Sequence, residues 1–105
     1  MDENVIGIKV LSGEVPAGAL MLVKKLVGVA PSEAKRRISE GEYLFSCDYV
    51  EEGGINKINR LRRGLDLLGV GSKLYEDGEE STPELFENIE RQFREIEEEV
   101  EAYPD

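Results

Sequence analysis

Apolar residues in the first forty positions change from a continuous run to a helical spacing. Residues 5–11 are apolar except for Lys9 and are rich in β-branched side chains, which predicts a strand. Four apolar residues then recur at a spacing of three or four, which predicts a helix: Leu20, Val23, Leu26 and Val27. Gly28 follows as a residue that can adopt the left-handed conformation at a helix end, and Pro31 suits the start of a second helix. The pattern therefore predicts two consecutive helices joined at Gly28.

The middle of the chain repeats this alternation of strand and helix. Residues 43–50 are rich in aromatic and other strand-forming residues, and residues 70–75 predict a last strand. The helix between them has an apolar face formed by Ile55, Ile58, Leu61, Leu65 and Leu68. The predicted order is β-α-α-β-α-β, which an α+β two-layer sandwich over residues 1–76 satisfies.

The end of the chain predicts an added acidic amphipathic helix. Residues 77–81 are polar and predict a linker, and residues 82–103 predict the helix. Its apolar stripe has heptad spacing and consists of Phe86, Ile89, Phe93, Ile96 and Val100, with Tyr103 continuing it. Three interpretations are open: the stripe packs on its own domain, pairs with a second copy, or docks on a partner.

The net charge of −10 is concentrated in this last segment. Residues 1–75 sum to +1, whereas residues 76–105 sum to −11. The acidic end would repel nucleic acid, so we expect no nucleic-acid partner. No apolar run is long enough to span a membrane, no signal-peptide pattern opens the chain, and the single cysteine fits a reducing compartment. We therefore expect a cytoplasmic protein without membrane partners.

The residue types present argue against catalysis. The chain contains no histidine, which excludes an imidazole base and any histidine-containing metal site. Cys47 lies in a predicted strand beside Asp48, whose charge disfavours a thiolate. The glycine-rich residues 69–73 precede a strand and lack the spacing of a phosphate-binding loop. We expect no enzyme activity, no catalytic residues, no cofactor and no metal.

Residues 23–35 read Val-Lys-Lys-Leu-Val-Gly-Val-Ala-Pro-Ser-Glu-Ala-Lys. This segment resembles the C-terminal domain of the bacterial ribosomal large-subunit stalk protein, and at the level of the fold the resemblance covers about residues 6–75. Gly28, Ala34 and Lys35 match the family pattern, and Lys24 stands where the family has an arginine. The resemblance implies a βααβαβ sandwich whose first two helices contact translation factors.

We therefore predict a non-enzymatic protein–protein interaction module of stalk-domain-like fold. The expected partner-binding surface lies on the first helical hairpin and comprises Met21, Lys24, Lys25, Val29, Lys35 and Arg36. The alternative is an acidic immunity-type inhibitor, in which the Glu-rich helix blocks the basic groove of a toxin such as a nuclease. A homodimer formed through the C-terminal helix is a further possibility.

Overall fold

The fold is an α+β sandwich, as the sequence predicts. The computed structural model describes residues 5–11, 15–51 and 53–102, with side chains up to Arg94. Its strands are β1 (Val5–Val10), β2 (Phe45–Asp48), β3 (Ser72–Glu76) and β4 (Glu79–Ser81). Its helices are α1 (Ala17–Val27), α2 (Pro31–Ser39), α3 (Gly54–Leu67) and α4 (Pro83–Ala102). The sheet has the order β2-β1-β3-β4, and all of its strand pairs are antiparallel.

The segment predicted as a linker is a β-hairpin instead. Asp77 and Gly78 both have positive φ angles, of 52° and 83°, which is the backbone of a two-residue hairpin turn. The Asp77 amide donates a hydrogen bond of 2.8 Å to the Val5 carbonyl, which ties the turn to the central strand. Residues 79–81 consequently add the edge strand β4, and α4 starts directly after it.

The core lies between the helices and one face of the sheet. Ile6, Ile8 and Leu74 point into it and are almost fully buried. The sheet's other face carries Lys9, whose Nζ lies 5.0 Å from the centre of the Tyr43 ring and 4.8 Å from that of Tyr75. These residues cover that face with their own side chains.

The ends of the helices follow the sequence signals. Gly28 has a φ of 75°, and its amide donates to the Lys24 carbonyl at 2.9 Å, so it ends α1 as predicted. Pro31 is the first residue of α2. Thr82 caps α4, because its Oγ1 accepts a hydrogen bond of 3.2 Å from the Leu85 amide.

Helix α4 packs on its own domain through its first half. Phe86 and Ile89 are buried in the common core, and the Phe93 ring meets Tyr49 edge-to-face with 6.0 Å between ring centres. The side chains of Ile96 and Val100, and the whole of Tyr103, lie outside the described residues. The described part of the stripe therefore packs on its own domain, which is the first of the three interpretations.

Candidate functional site: an apolar groove between α1 and α3

A groove of about 700 Å³ runs between α1 and α3 and is lined almost entirely by apolar surface. We call it the α1–α3 groove and define it by its lining residues: Gly18, Met21, Leu22, Lys24, Lys25, Gly64, Leu67 and Leu68. Met21 is 57% exposed and Leu67 is 87% exposed, although both are large apolar side chains. Neighbouring exposed apolar side chains of this kind are typical of a surface that binds another molecule.

Two glycines give the groove its shape. At Gly64 a Cβ atom would lie 2.4 Å from Leu22 Cδ2, so α1 and α3 approach each other closely at this point. At Gly18 a Cβ atom would meet nothing within 4 Å, so this part of the groove is open. The floor is therefore closed by the contact between Leu22 and Gly64, while Met21 and Leu67 project from the two helices.

Lys24 and Lys25 lie on α1 and give the groove a positive rim. Both lie in the last turn of α1, where a positive charge complements the helix dipole, and both are exposed. Within the part of the chain that the structure describes, neither lysine forms an ion pair. The groove thus combines an apolar floor with two cationic groups that are free to bind an anion.

The predicted hairpin surface is divided by the structure. Met21, Lys24 and Lys25 line the groove together, and Lys35 is exposed on α2. Val29 is half-buried and packs against the core, which leaves little of it for a partner. The structure thus brings together three of the predicted residues.

Arg36 is held by carboxylates of its own helix and of the following turn. Its guanidinium donates to Glu33 at 2.7 Å, to Glu42 at 3.1 Å and also to Glu40. The hydrogen bonds from Arg36 and Arg37 lower the pKa of Glu33 to about 2. The hydrogen bonds with Glu33 and Glu42 raise the pKa of Arg36. Arg36 therefore presents a charge that is already neutralised by its neighbours.

Arg37, the next residue of α2, connects this helix to another part of the fold. It is half-buried, and its Nη1 donates a hydrogen bond of 3.0 Å to the Leu44 carbonyl. Its Nε also donates to Glu33 at 2.9 Å. Arg37 consequently joins α2 to the segment that leads into β2.

The basic side chains at the middle of α3 bind the acidic helix α4. Arg62 Nη2 lies 3.0 Å from Glu87 Oε1, and Arg63 lies 3.7 Å from the same oxygen and 3.5 Å from Glu90 Oε1. These arginines are therefore occupied by the chain's own C-terminal helix. The basic residues that line the α1–α3 groove are Lys24 and Lys25 of α1.

Glu90 is the centre of the contact between α3 and α4. Its side chain is only 8% exposed, and it accepts hydrogen bonds from Asn59 Nδ2 at 2.8 Å and from Asn56 Nδ2. Arg94 Nη2 lies 3.2 Å from Glu90 Oε2, the oxygen that also accepts from Asn56. Burial favours the neutral form, but the two amide donors and the nearby arginines outweigh it, so the pKa of Glu90 is lowered.

Cys47 lies on the side of β2 that packs toward the core. Burial, together with the charges of Glu51 and Asp48, raises the pKa of its thiol to about 11. A Cβ atom on Gly54 would lie 2.5 Å from its Sγ, so the thiol packs tightly against the start of α3. Over residues 5–11, 15–51 and 53–102, no group of three acidic or cysteine side chains could hold a metal ion.

Sequence reasoning missed the α3 wall of the groove. The helical spacing placed Leu68 on the core face, but it is 45% exposed and lines the groove. The helical spacing places Leu67 on the opposite side of α3 from the core residue Leu65, because residues two positions apart do not share a helix face. An apolar residue on the exposed side of an amphipathic helix was the signal available in the sequence.

Comparison with known proteins adds no relative. No protein-family model, curated protein or solved structure matches the chain. Among the described helices, none is long and apolar enough to cross a membrane.

Proposed function

We propose that this chain is a non-enzymatic protein-binding module of stalk-domain-like fold. The observation that carries the proposal is the α1–α3 groove, in which Met21 and Leu67 expose apolar surface next to Lys24 and Lys25. The surface predicted from the sequence lay on α1 and α2. The α1–α3 groove also uses α1, but its second wall is α3 in place of α2.

The chemistry of the groove favours an amphipathic acidic segment. Burying Met21 and Leu67 against apolar side chains removes their surface from water, which is the main favourable contribution to such contacts. Lys24 and Lys25 would pair with carboxylates at the edge of the contact and accelerate encounter with an acidic partner. A helix laid between two helices, with apolar anchors three or four residues apart, fits this shape.

Two features of the chain support a role without catalysis. It contains no histidine, and burial keeps the thiol of its single cysteine protonated at neutral pH. The element order from β1 to β3 agrees with the βααβαβ order implied by the stalk-domain resemblance. The absence of histidine, the protonated thiol and the element order support the proposal independently of the groove.

The experiment is a quantitative capture with matched variants. Leu67→Asp removes the apolar α3 wall, and the pair Lys24→Glu and Lys25→Glu reverses the rim. Val50→Asp is the control, because Val50 is 78% exposed and lies outside the groove. We expect a protein captured by the wild type and by Val50→Asp to be lost by both groove variants. Equal capture by all four chains would refute the proposal.

The alternative, an acidic immunity-type inhibitor, is supported by the length of α4. This helix continues for eight residues past Arg94, and five of those residues are glutamates. A chain ending at Arg94 separates the two functions. Loss of a basic partner on this truncation, with the groove variants still binding it, would favour the inhibitor.

A further inference from the structure

We propose that the last two turns of α4 from a second copy of the chain bind in the α1–α3 groove, in a reciprocal exchange between two protomers. This inference rests on the proposed function, since it names an occupant of the same groove. It is argued from the charge of the groove, from the sequence of the end of α4 and from the direction in which α4 runs.

The end of α4 has the composition that the groove requires. Residues 95–102 read Glu-Ile-Glu-Glu-Glu-Val-Glu-Ala, so Ile96 and Val100 are four residues apart in a helix that extends to Ala102. At 100° per residue, Glu97 and Glu99 fall next to this apolar pair on its two sides. The segment therefore offers two apolar anchors flanked by carboxylates to an apolar floor with a lysine rim.

The first half of the same helix already binds α3 in this way. Phe86 is buried against the core while Glu87 pairs with Arg62 at 3.0 Å. An α4 segment with an apolar side chain next to a glutamate thus packs on a helix surface that carries apolar and basic groups. In the groove, Met21 and Leu67 would meet the anchors, and Lys25 would meet the carboxylates.

The end of α4 cannot reach the groove of its own chain. Helix α4 contacts α3 through Asn56, Asn59 and Arg63, whereas the groove is closed at Gly64, which lies about 100° around the helix from Arg63. The contacts of Phe86 with Asn59 and of Phe93 with Tyr49 show that α4 runs antiparallel to α3. It therefore runs away from Leu67 toward the start of α3, so an α4 end bound in the groove belongs to a second copy.

A reciprocal exchange satisfies both copies at once. In a two-fold dimer the same surface is used twice, so each protomer supplies one α4 end and one groove. An antiparallel arrangement of the two α3 helices would place the end of each α4 near Leu67 of the other protomer. The contact closes on itself, so the assembly stops at two chains.

The first experiment measures molar mass against concentration by sedimentation and light scattering. For the full chain we expect the mass to rise from 11.7 kDa toward twice that value between roughly 1 µM and roughly 1 mM, because the contact is small. A chain ending at Arg94 and the variant Leu67→Asp should both stay at the monomer mass. Val50→Asp, which lies outside the groove, should behave as the full chain does.

The second experiment mixes two variants that cannot form the reciprocal dimer alone. Leu67→Asp keeps the α4 end but loses the groove, whereas Ile96→Asp with Val100→Asp keeps the groove but loses the anchors. Each should be monomeric, and their mixture should associate much more weakly than the full chain, because only one groove and one α4 end remain to bind each other. Far-UV circular dichroism checks that both variants are folded.

Three results would overturn the inference. They are a monomer mass for the full chain at every concentration, a dimer that persists in the chain ending at Arg94, and a dimer as strong as that of the full chain in the variant Leu67→Asp or in the mixture. The proposed function fails on different evidence, namely unchanged capture of a partner by the groove variants. A monomeric chain whose groove variants lose their partner would leave the proposed function standing.

Discussion

At the scale of single residues, Glu90 decides how α4 is attached. Its carboxylate is almost buried, yet it receives donors from Asn56, Asn59, Arg63 and Arg94, so its charge is compensated. Removing this carboxylate would be destabilising, because the buried amides would lose their acceptor. Removing its donors would also be destabilising, because a buried charge would be left unpaired.

The lowered pKa of Glu90 predicts a loss of stability in acid. Since the folded-state pKa lies below the ordinary value of 4.5, its contribution is complete above pH 4.5 and is lost as the pH falls through the lowered pKa. We expect Glu90→Gln to cost about 1–2 kcal/mol at pH 7 and to flatten the decline below pH 4.5, measured by urea unfolding. Glu79→Gln, which changes an exposed carboxylate on β4, is the control and should keep the wild-type decline. An unchanged acid decline in Glu90→Gln would contradict this assignment.

Two glycines of the first hairpin should respond in opposite directions to alanine. Gly18 lies inside α1 with open space around it, so Gly18→Ala should raise the free energy of unfolding by about 0.5–1 kcal/mol. Gly28 has a φ of 75°, so Gly28→Ala should lower it by about 1 kcal/mol. Thermal unfolding should show shifts of about 4 °C per kcal/mol, upward for the first and downward for the second. Shifts of the same sign would show that backbone conformation does not govern these positions.

At the scale of elements, local signals predicted what local chemistry determines. Gly28 and Pro31 mark helix ends because their preferences act within one turn, and the structure has them there. The hairpin at Asp77–Gly78 also has a local signal, an Asp–Gly pair, but the strand after it is polar and short. A polar edge strand gives no alternation from which a strand could be predicted.

The groove could be predicted only in part, because it depends on which helices become neighbours. The basic, apolar sequence of α1 indicated a binding surface at Met21 and Lys24, and both line the groove. That α3 would supply the second wall through Leu67 depends on the packing of Leu22 against Gly64, a contact over 42 positions. No local pattern encodes such a contact.

The packing of α4 predicts a sharp difference between two truncations. A chain ending at Glu80 loses Phe86 and Ile89 from the core, and each loss alone costs several kcal/mol, a large part of the stability of a small domain. A chain ending at Arg94 keeps both. We expect the shorter chain to melt cooperatively but far below the full chain, and the longer one to melt within a few degrees of the full chain. A cooperative transition at an unchanged temperature in the shorter chain would show that α4 is not part of the core.

At the scale of the whole molecule, the chain has a central unit and an attached helix. Strand β1 is hydrogen-bonded on both sides, to β2 and to β3, and α3 covers the sheet. Helix α4 is joined to this unit mainly through one helix, with Glu90 at the centre of the contact. Opening of α4 alone would break fewer contacts than opening of the sheet, so it should have a lower free energy.

Hydrogen exchange can test this division. In the wild type we expect amides of β1 and α3 to exchange at the rate set by global unfolding, and amides of residues 83–94 to exchange faster. Glu90→Ala should remove about 2–3 kcal/mol from the attachment and speed exchange in residues 83–94 about 30- to 150-fold, through opening of α4. Lys73→Ala, which removes an ion pair with Glu80 on the sheet, is the matched control and should leave residues 83–94 unchanged. If Glu90→Ala instead accelerated β1 and α4 equally, the chain would open as one cooperative unit, and the Glu90 contact would belong to the core of the fold.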